Sequence, residues 1–337
     1  MICTERKEAV SELAQLLGIS KNLILLALSM LETKRGYRVW SIPKKPEGEK
    51  QIQAAVWPLN KIQARISAKI YPYSISEINH GFVAGRWHYT AILPHLWARA
   101  FFTFDIKNAF PSTRKQMVVL HLCRIGFRKI VADLMADLIC YSPTGKSKDS
   151  FLPQGYASSP TVFNLILRDI DRVLSGFAQE RDYRVSRYVD NFAISTIKET
   201  IPEEERRLAI KIVESLSLGN FKIPDEKTSY SETEERKAHF EFLGLVIEGP
   251  KDGERKIKVV DEKLTNYQRA IQKALGKEDF SERKFREIRG KITYLKTIYR
   301  GEPLPPRIAD LYIHYRLMKK IVNATKRGQL FFHSRTD

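Results

Sequence analysis

Cysteine is scarce: Cys3, Cys123 and Cys140 are the only three in 337 residues. They are widely spaced and odd in number, which argues against a disulfide framework or a zinc knuckle. A reducing cytoplasm is the expected setting. No apolar run approaches the ~18 to 20 residues that cross a bilayer, so no membrane partner is expected. The start, Met1-Ile2-Cys3-Thr4-Glu5-Arg6-Lys7-Glu8, lacks the apolar stretch of a signal peptide. Internal repeats and low-complexity segments are missing as well. The glycines of Asn79-His80-Gly81-Phe82-Val83-Ala84-Gly85-Arg86 have the wrong spacing for a dinucleotide fingerprint.

Acid is also in short supply. Against 57 Lys+Arg stand 39 Asp+Glu, a net charge of +18, enough to gather polyanions. Nucleic acid is the partner class this favours; lysines that merely solvate the faces are the plain alternative. From Lys251 onward there are 22 Lys+Arg and 11 Asp+Glu, so most of the excess lies in the last quarter of the chain.

The length allows one large domain or two to three subdomains. Residues 5 to 33 have helical periodicity broken at Gly18, with Ser20 as a cap for the second piece. Tyr37 to Ile52 alternates around a Pro/Gly turn and predicts a basic hairpin. Its Lys44, Lys45 and Lys50 either reach a phosphate chain or stay solvated. Pro58 opens a helix. Helices are also expected from Pro111-Ser112 or Thr113 through Ile125, over Ile130 to Cys140, after Ser159-Pro160 with Asp171 near its end, and over Pro202 to Leu218. His239 to Ile247 and Arg255 to Val260 predict strands, and the chain from Lys263 is helical and basic.

Three short stretches carry chemistry. Phe101-Phe102-Thr103-Phe104-Asp105 is an apolar strand that delivers a carboxylate at its end, where burial is costly without a partner or a metal; an Asp capping the next turn is the alternative. Leu152-Pro153-Gln154-Gly155 permits a tight turn and close approach of a ligand, or is simply a loop before a helix. Arg187-Tyr188-Val189-Asp190-Asn191-Phe192 predicts a hairpin with Asp190 and Asn191 at its tip, which suits a metal but is also ordinary turn chemistry.

Taken in order and spacing, these stretches resemble a reverse transcriptase over about residues 20 to 320. Phe104 to Phe110 looks like the first palm motif and Leu152 to Gly155 with Ser159, Pro160 and Asn164 like the second. Tyr188-Val189-Asp190-Asn191 looks like the third, Pro224-Asp225-Glu226-Lys227 like the next, and Phe242-Leu243-Gly244 like the primer-grip turn. The chain looks closest to the compact bacterial branch that holds retron, group II intron and phage-defence enzymes. Two stretches, Thr90 to His95 and Phe242 to Gly244, depart from retron hallmarks and speak against a retron proper.

The resemblance implies an α+β right-hand polymerase: an N-terminal helical extension over 1–36, fingers over 37–100, a palm over 101–250 with fingers residues inserted around 120–150, and a primer-grip strand and basic helical thumb over 251–337. It implies two Mg2+ ions, with Mn2+ as a substitute, on Asp105, the Ile106 carbonyl, Asp190 and, weakly, Asn191. The family usually has Asp at 191, and an amide brings no charge. Lys44 and Lys50 would meet the triphosphate, Lys50 in place of the usual Arg and without its bidentate fork. Gln154 and Gly155 would place the incoming dNTP, Phe110 would exclude a ribose 2′-hydroxyl, and Lys227 would donate a proton to pyrophosphate. Partners implied are an RNA template, taken as a structured non-coding RNA, and a DNA or RNA primer, in retroelement or antiphage service. Untemplated or protein-primed synthesis and a weakened RNA-binding scaffold are the competing readings.

Overall fold

The structure is a computed structural model that describes residues 4–43, 48–155, 158–233, 237–275, 282–300 and 306–326. The architecture is α+β, and the chain divides into two compact units, Met1–Glu232 and Thr233–Asp337.

The first unit begins with α1 (Thr4–Leu17) and α2 (Lys21–Glu32), the second capped by the Ser20 hydroxyl, which accepts from Leu23 N. Ala9, Val10, Leu13, Ile24 and Ala27 join the main core, as the apolar spacing requires. A hairpin of β1 (Tyr37–Pro43) and β2 (Glu49–Ala55) follows; Lys44 and Lys45 lie outside the described residues. Then come α3 (Leu59–Ile70), α4 (His88–Ile92) and β3 (Ala100–Asp105). Pro111 and Ser112 end a short α5 (Ala109–Ser112) instead of opening the next helix, and α6 (Lys115–Arg124) starts after Arg114. The break falls at Thr113 and Arg114, whose backbones are extended, with ψ of +93° and +152°. The chain continues through α7 (Lys129–Ile139), α8 (Ser159–Gln179), β4 (Arg184–Tyr188), β5 (Asn191–Thr196), α9 (Glu203–Leu216) and β6 (Thr228–Glu232). Asp171 lies in the middle of α8, not near its end, because the helix runs on to Gln179.

The four strands form an antiparallel sheet in the order β4-β5-β3-β6. Along β3, Phe102 and Phe104 face Ile194 and Phe192 of β5 and join the core shared with the helices. Side chains alternate across a strand, so Thr103 and Asp105 fall on the other face. The sheet thereby turns Phe102 and Phe104 into that core and leaves Asp105 on the opposite face, which it shares with Phe101.

In the second unit β7 (Lys237–Phe242), β8 (Leu245–Pro250) and β9 (Lys256–Val259) form an antiparallel meander. The single strand expected over His239 to Ile247 is therefore a hairpin. Leu243 and Gly244 both have positive φ and make a two-residue turn of the primed kind. Helices α10 (Asp261–Leu275), α11 (Glu282–Ile298) and α12 (Pro306–Lys326) complete the unit. Tyr299 is buried and its hydroxyl accepts from Val259 N, so it is a core residue; Lys296 sits 3.9 Å over the Tyr312 ring.

Candidate active site

Register explains how the key side chains meet. Asp105 ends β3 and pairs across the sheet with Asn191, the first residue of β5. On the other side Phe104 pairs with Thr228 of β6, so Lys227, one residue earlier, comes level with Asp105. Its ammonium donates to Asp105 Oδ2 at 2.6 Å, and the bond to this carboxylate raises the Lys227 pKa.

Asp190 arrives from the turn between β4 and β5. Tyr188 pairs directly with Asn191, so the two-residue tip is Val189-Asp190, and Asn191 already belongs to the strand. That corrects the expected Asp190-Asn191 tip by one position. Val189 has φ +61° while Asp190 is not in that region. This is the pattern of a type II′ hairpin, whose first central position favours glycine. A β-branched residue there is strained. Two contacts hold the turn against β3 and its neighbours: Ile106 N donates to Asp190 O at 3.2 Å, and Asn191 Nδ2 donates to Asp190 Oδ1 at 3.1 Å.

The loop of Asn79 to Arg86 packs on this same turn. A Cβ on Gly81 would lie 2.5 Å from Val189 N, so no larger residue fits without moving the turn. Sequence reasoning set this loop aside as a failed dinucleotide motif and missed its part here. The signal was Gly81 itself, two residues after Asn79, whose Oδ1 accepts from Gly81 N at 3.0 Å.

The electrostatics are those of a site short of positive charge. Asp190 is held above the usual carboxylate range, by burial first and by the neighbouring Asp105 charge second. Asp105 Oδ1 is buried and has no hydrogen-bond partner. An orphaned carboxylate oxygen facing a second carboxylate is what a hard divalent cation would satisfy, so the donors present fit such an ion. Among the described residues no group of three or more His, Cys, Asp or Glu side chains converges to hold a metal. The carboxylate count is two.

The remaining candidates form a second cluster. Gln154 N donates to Gln53 Oε1 at 3.0 Å, and Gln53 N donates to Gln154 O at 3.1 Å. Gly155 has φ +103°, and a Cβ there would meet Ile52 at 2.8 Å. Gln154 and Gly155 are thus seated on β2 of the basic hairpin, and the Gln154 Oε1 atom is buried without a partner. Lys50 is exposed on the same strand opposite Ile42. Phe110 is half-buried and stacks on Phe163 at 5.0 Å. The described contacts bring together Asp105, Ile106, Asp190, Asn191 and Lys227; none ties Lys50, Phe110 or Gln154 to that group, and Lys44 is outside the described residues. A cavity of about 440 Å³ lined by Lys34, Tyr37, Lys115, Asp137 and Tyr141 includes none of the cluster.

Sequence comparison gives the family to which this fold belongs. The profile of the family "Reverse transcriptase (RNA-dependent DNA polymerase)" matches residues 33–247. The chain belongs to the reverse transcriptase family.

Its curated relatives include the retron Mx65 reverse transcriptase of Myxococcus xanthus, 30% identical over 212 residues, which are 58% of this chain and 48% of that protein. The retron Mx162 enzyme of the same organism is 27% identical over 262 residues, 71% of this chain and 53% of the other. The retron Ec86 reverse transcriptase of Escherichia coli is 24% identical over 269 residues, 77% and 70% respectively. The chain spans about half the length of the two Myxococcus relatives. Despite the departures at Thr90 to His95 and Phe242 to Gly244, its similarity is thus to the retron type within the compact bacterial branch. Among solved structures, a telomerase from Candida albicans with a fragment of telomeric RNA has a TM-score of 0.45 and 10% identity, covering 86% of this chain and 61% of that one.

Proposed function

We propose that this protein is an RNA-directed DNA polymerase of the retron type, adding dNTPs to a DNA or RNA primer on a structured RNA template. The observation that carries the proposal is the convergence of Asp105 and Asp190 at adjoining strand ends, with an orphaned carboxylate oxygen between them and the Lys227 ammonium beside them. Bound at Asp105, Asp190, the Ile106 carbonyl and the Asn191 amide oxygen, two Mg2+ ions would activate the primer 3′-hydroxyl and neutralise the departing pyrophosphate.

The chain's own residues do the rest. Lys227 enters the reaction protonated, since its partner holds the proton on, and is placed to donate to pyrophosphate. Gln154 and Gly155, fixed on β2, support the incoming nucleotide, with Lys50 and Lys44 of the same hairpin on its phosphates. Phe110, its ring stacked on Phe163, closes the space where a 2′-hydroxyl would sit. Residues 37–100 act as fingers, 101–250 as palm and 251–337 as primer grip and thumb. The setting is cytoplasmic, in a retroelement or in antiphage defence.

Primer extension tests this, with purified protein, an RNA template, Mg2+ or Mn2+, and dNTPs or NTPs, beside Asp190→Ala. Template-dependent DNA product lost in the variant is the expected result. Product without template points to untemplated synthesis. No product with either metal, while RNA binding stays tight, overturns the polymerase in favour of an RNA-binding scaffold.

A further inference from the structure

Directly before the catalytic turn, the second-last residue of β4 is a fully buried arginine. The Arg187 guanidinium meets Asp171 of α8 in a two-pronged pair, Nε to Oδ1 and Nη2 to Oδ2, both 2.7 Å, and both side chains are shut off from water. Ser76 Oγ donates to the same Asp171 carboxylate at 2.5 Å. The remaining nitrogen, Nη1, donates to Asn164 Oδ1 at 3.1 Å and to the carbonyl of Val189 at 2.7 Å. Asn164 in turn donates through Nδ2 to Gly81 O at 2.9 Å. The Arg187 backbone is tied down as well, its N to Ile78 O and its carbonyl to His80 N, each at 2.7 Å.

Stability alone gives little reason for this arrangement. Buried ion pairs are often no more stabilising than well-packed apolar side chains of the same volume. The two-pronged pair leaves one N–H edge free, and that edge is spent on Val189, the residue held at φ +61° against its β-branched preference. Asp171 and Asn164 fix the plane of the guanidinium; the guanidinium fixes the Val189 carbonyl; the next residue is Asp190. A lysine has no rigid fork and could not serve both ends.

We infer that Arg187, oriented by Asp171 and Asn164, is a positioning residue that locks the strained Val189 turn and so sets where the Asp190 carboxylate sits. The inference rests on the polymerase reading for its kinetic consequence but not for its metal-binding one. Arg187 does not touch the reacting atoms; it acts through Val189.

The test is the double variant Arg187→Met with Asp171→Leu, which removes both buried charges together, read by melting temperature, RNA affinity, Mn2+ affinity from electron paramagnetic resonance, and primer extension. The expected result is a folded protein with unchanged RNA affinity, Mn2+ binding about 10-fold weaker, and kcat down about 30- to 100-fold at a nearly constant KM for dNTP, the size a misplaced reacting group produces. Adding Val189→Gly, which adopts positive φ without strain, restores a large part of both losses. A double variant that folds and keeps wild-type Mn2+ affinity and kcat overturns the inference, as does Val189→Gly without rescue. If the double variant does not fold, Arg187→Lys takes its place with the same expected split. Should the wild-type chain extend no primer, the polymerase reading fails on its own and Mn2+ affinity alone decides the role of Arg187.

Discussion

At position 191 an amide stands where a carboxylate would add a third negative charge to Asp105 and Asp190. With Asp190 already above the usual carboxylate range, Asn191→Asp adds repulsion that only a cation relieves. The variant is expected to melt at lower temperature than the native protein in EDTA, to recover in Mg2+, and to reach half-maximal primer extension at lower Mg2+ concentration; calorimetry with and without metal checks the first part, a Mg2+ titration the second. A second residue-scale feature is His95, fully buried between Ser186 and Ser195. The Ser186 hydroxyl donates to Ala91 O at 2.8 Å, so it accepts from His95 Nε2–H, and Nδ1 is left to accept from Ser195. The ring is neutral with both nitrogens engaged, and burial pushes its pKa from 6.5 down to about 3. A folded-state pKa below the unfolded value means that the unfolded chain takes up the proton first. Stability is then full above pH 6.5 and falls by about 1.4 kcal/mol per pH unit below it, flattening near pH 3. Urea melts between pH 7.5 and 5 measure this slope, and His95→Gln removes that part of it.

At the scale of elements, the contact between the Gln154-Gly155 loop and β2 is the informative one. Gly155 combines positive φ with a neighbour that a methyl group would meet at 2.8 Å. Gly155→Ala therefore costs about 1 to 3 kcal/mol through backbone strain and overpacking, and it is expected to raise the KM for dNTP more than it lowers kcat, because it shifts the loop while leaving the carboxylates in place. Steady-state kinetics beside a thermal melt separates the two effects; an unchanged melting temperature would show that the loop is not seated on β2. Helix limits were largely legible: the Ser20 cap, the Gly18 break and the proline at α3 all act where the sequence puts them. The start of α6 was not, since extended backbone at Thr113 and Arg114 splits off a short helix that spacing alone cannot show.

Across the whole molecule, the charge of +18 is the dominant fact. RNA binding is expected to weaken steeply with salt, with log K falling by about 0.7 to 0.9 per phosphate neutralised for each tenfold rise in salt. Filter binding between 50 and 300 mM KCl gives the slope, and a nearly flat line would rule out a backbone-tracking surface. No single described helix is long and apolar enough to cross a membrane, and the apolar N-terminal helices instead pack into the core of the first unit.

The order of motifs along the chain was enough to name the family and to nominate Asp105, Asp190 and Lys227, because each sits at a strand end or turn whose local pattern is set by neighbouring residues. What local pattern does not contain is register. Only pairing across the sheet puts Asn191 and Lys227 on either side of Asp105. Only packing reveals that Asp171, Asn164 and Gly81, from separate stretches of the sequence, converge behind Val189. Those residues lie 18 to 108 positions from Val189 of the turn they support, and a sequence read in windows of a few turns cannot reach that far, whereas a buried charge and a strained backbone can be satisfied only by whatever the folded chain brings to them.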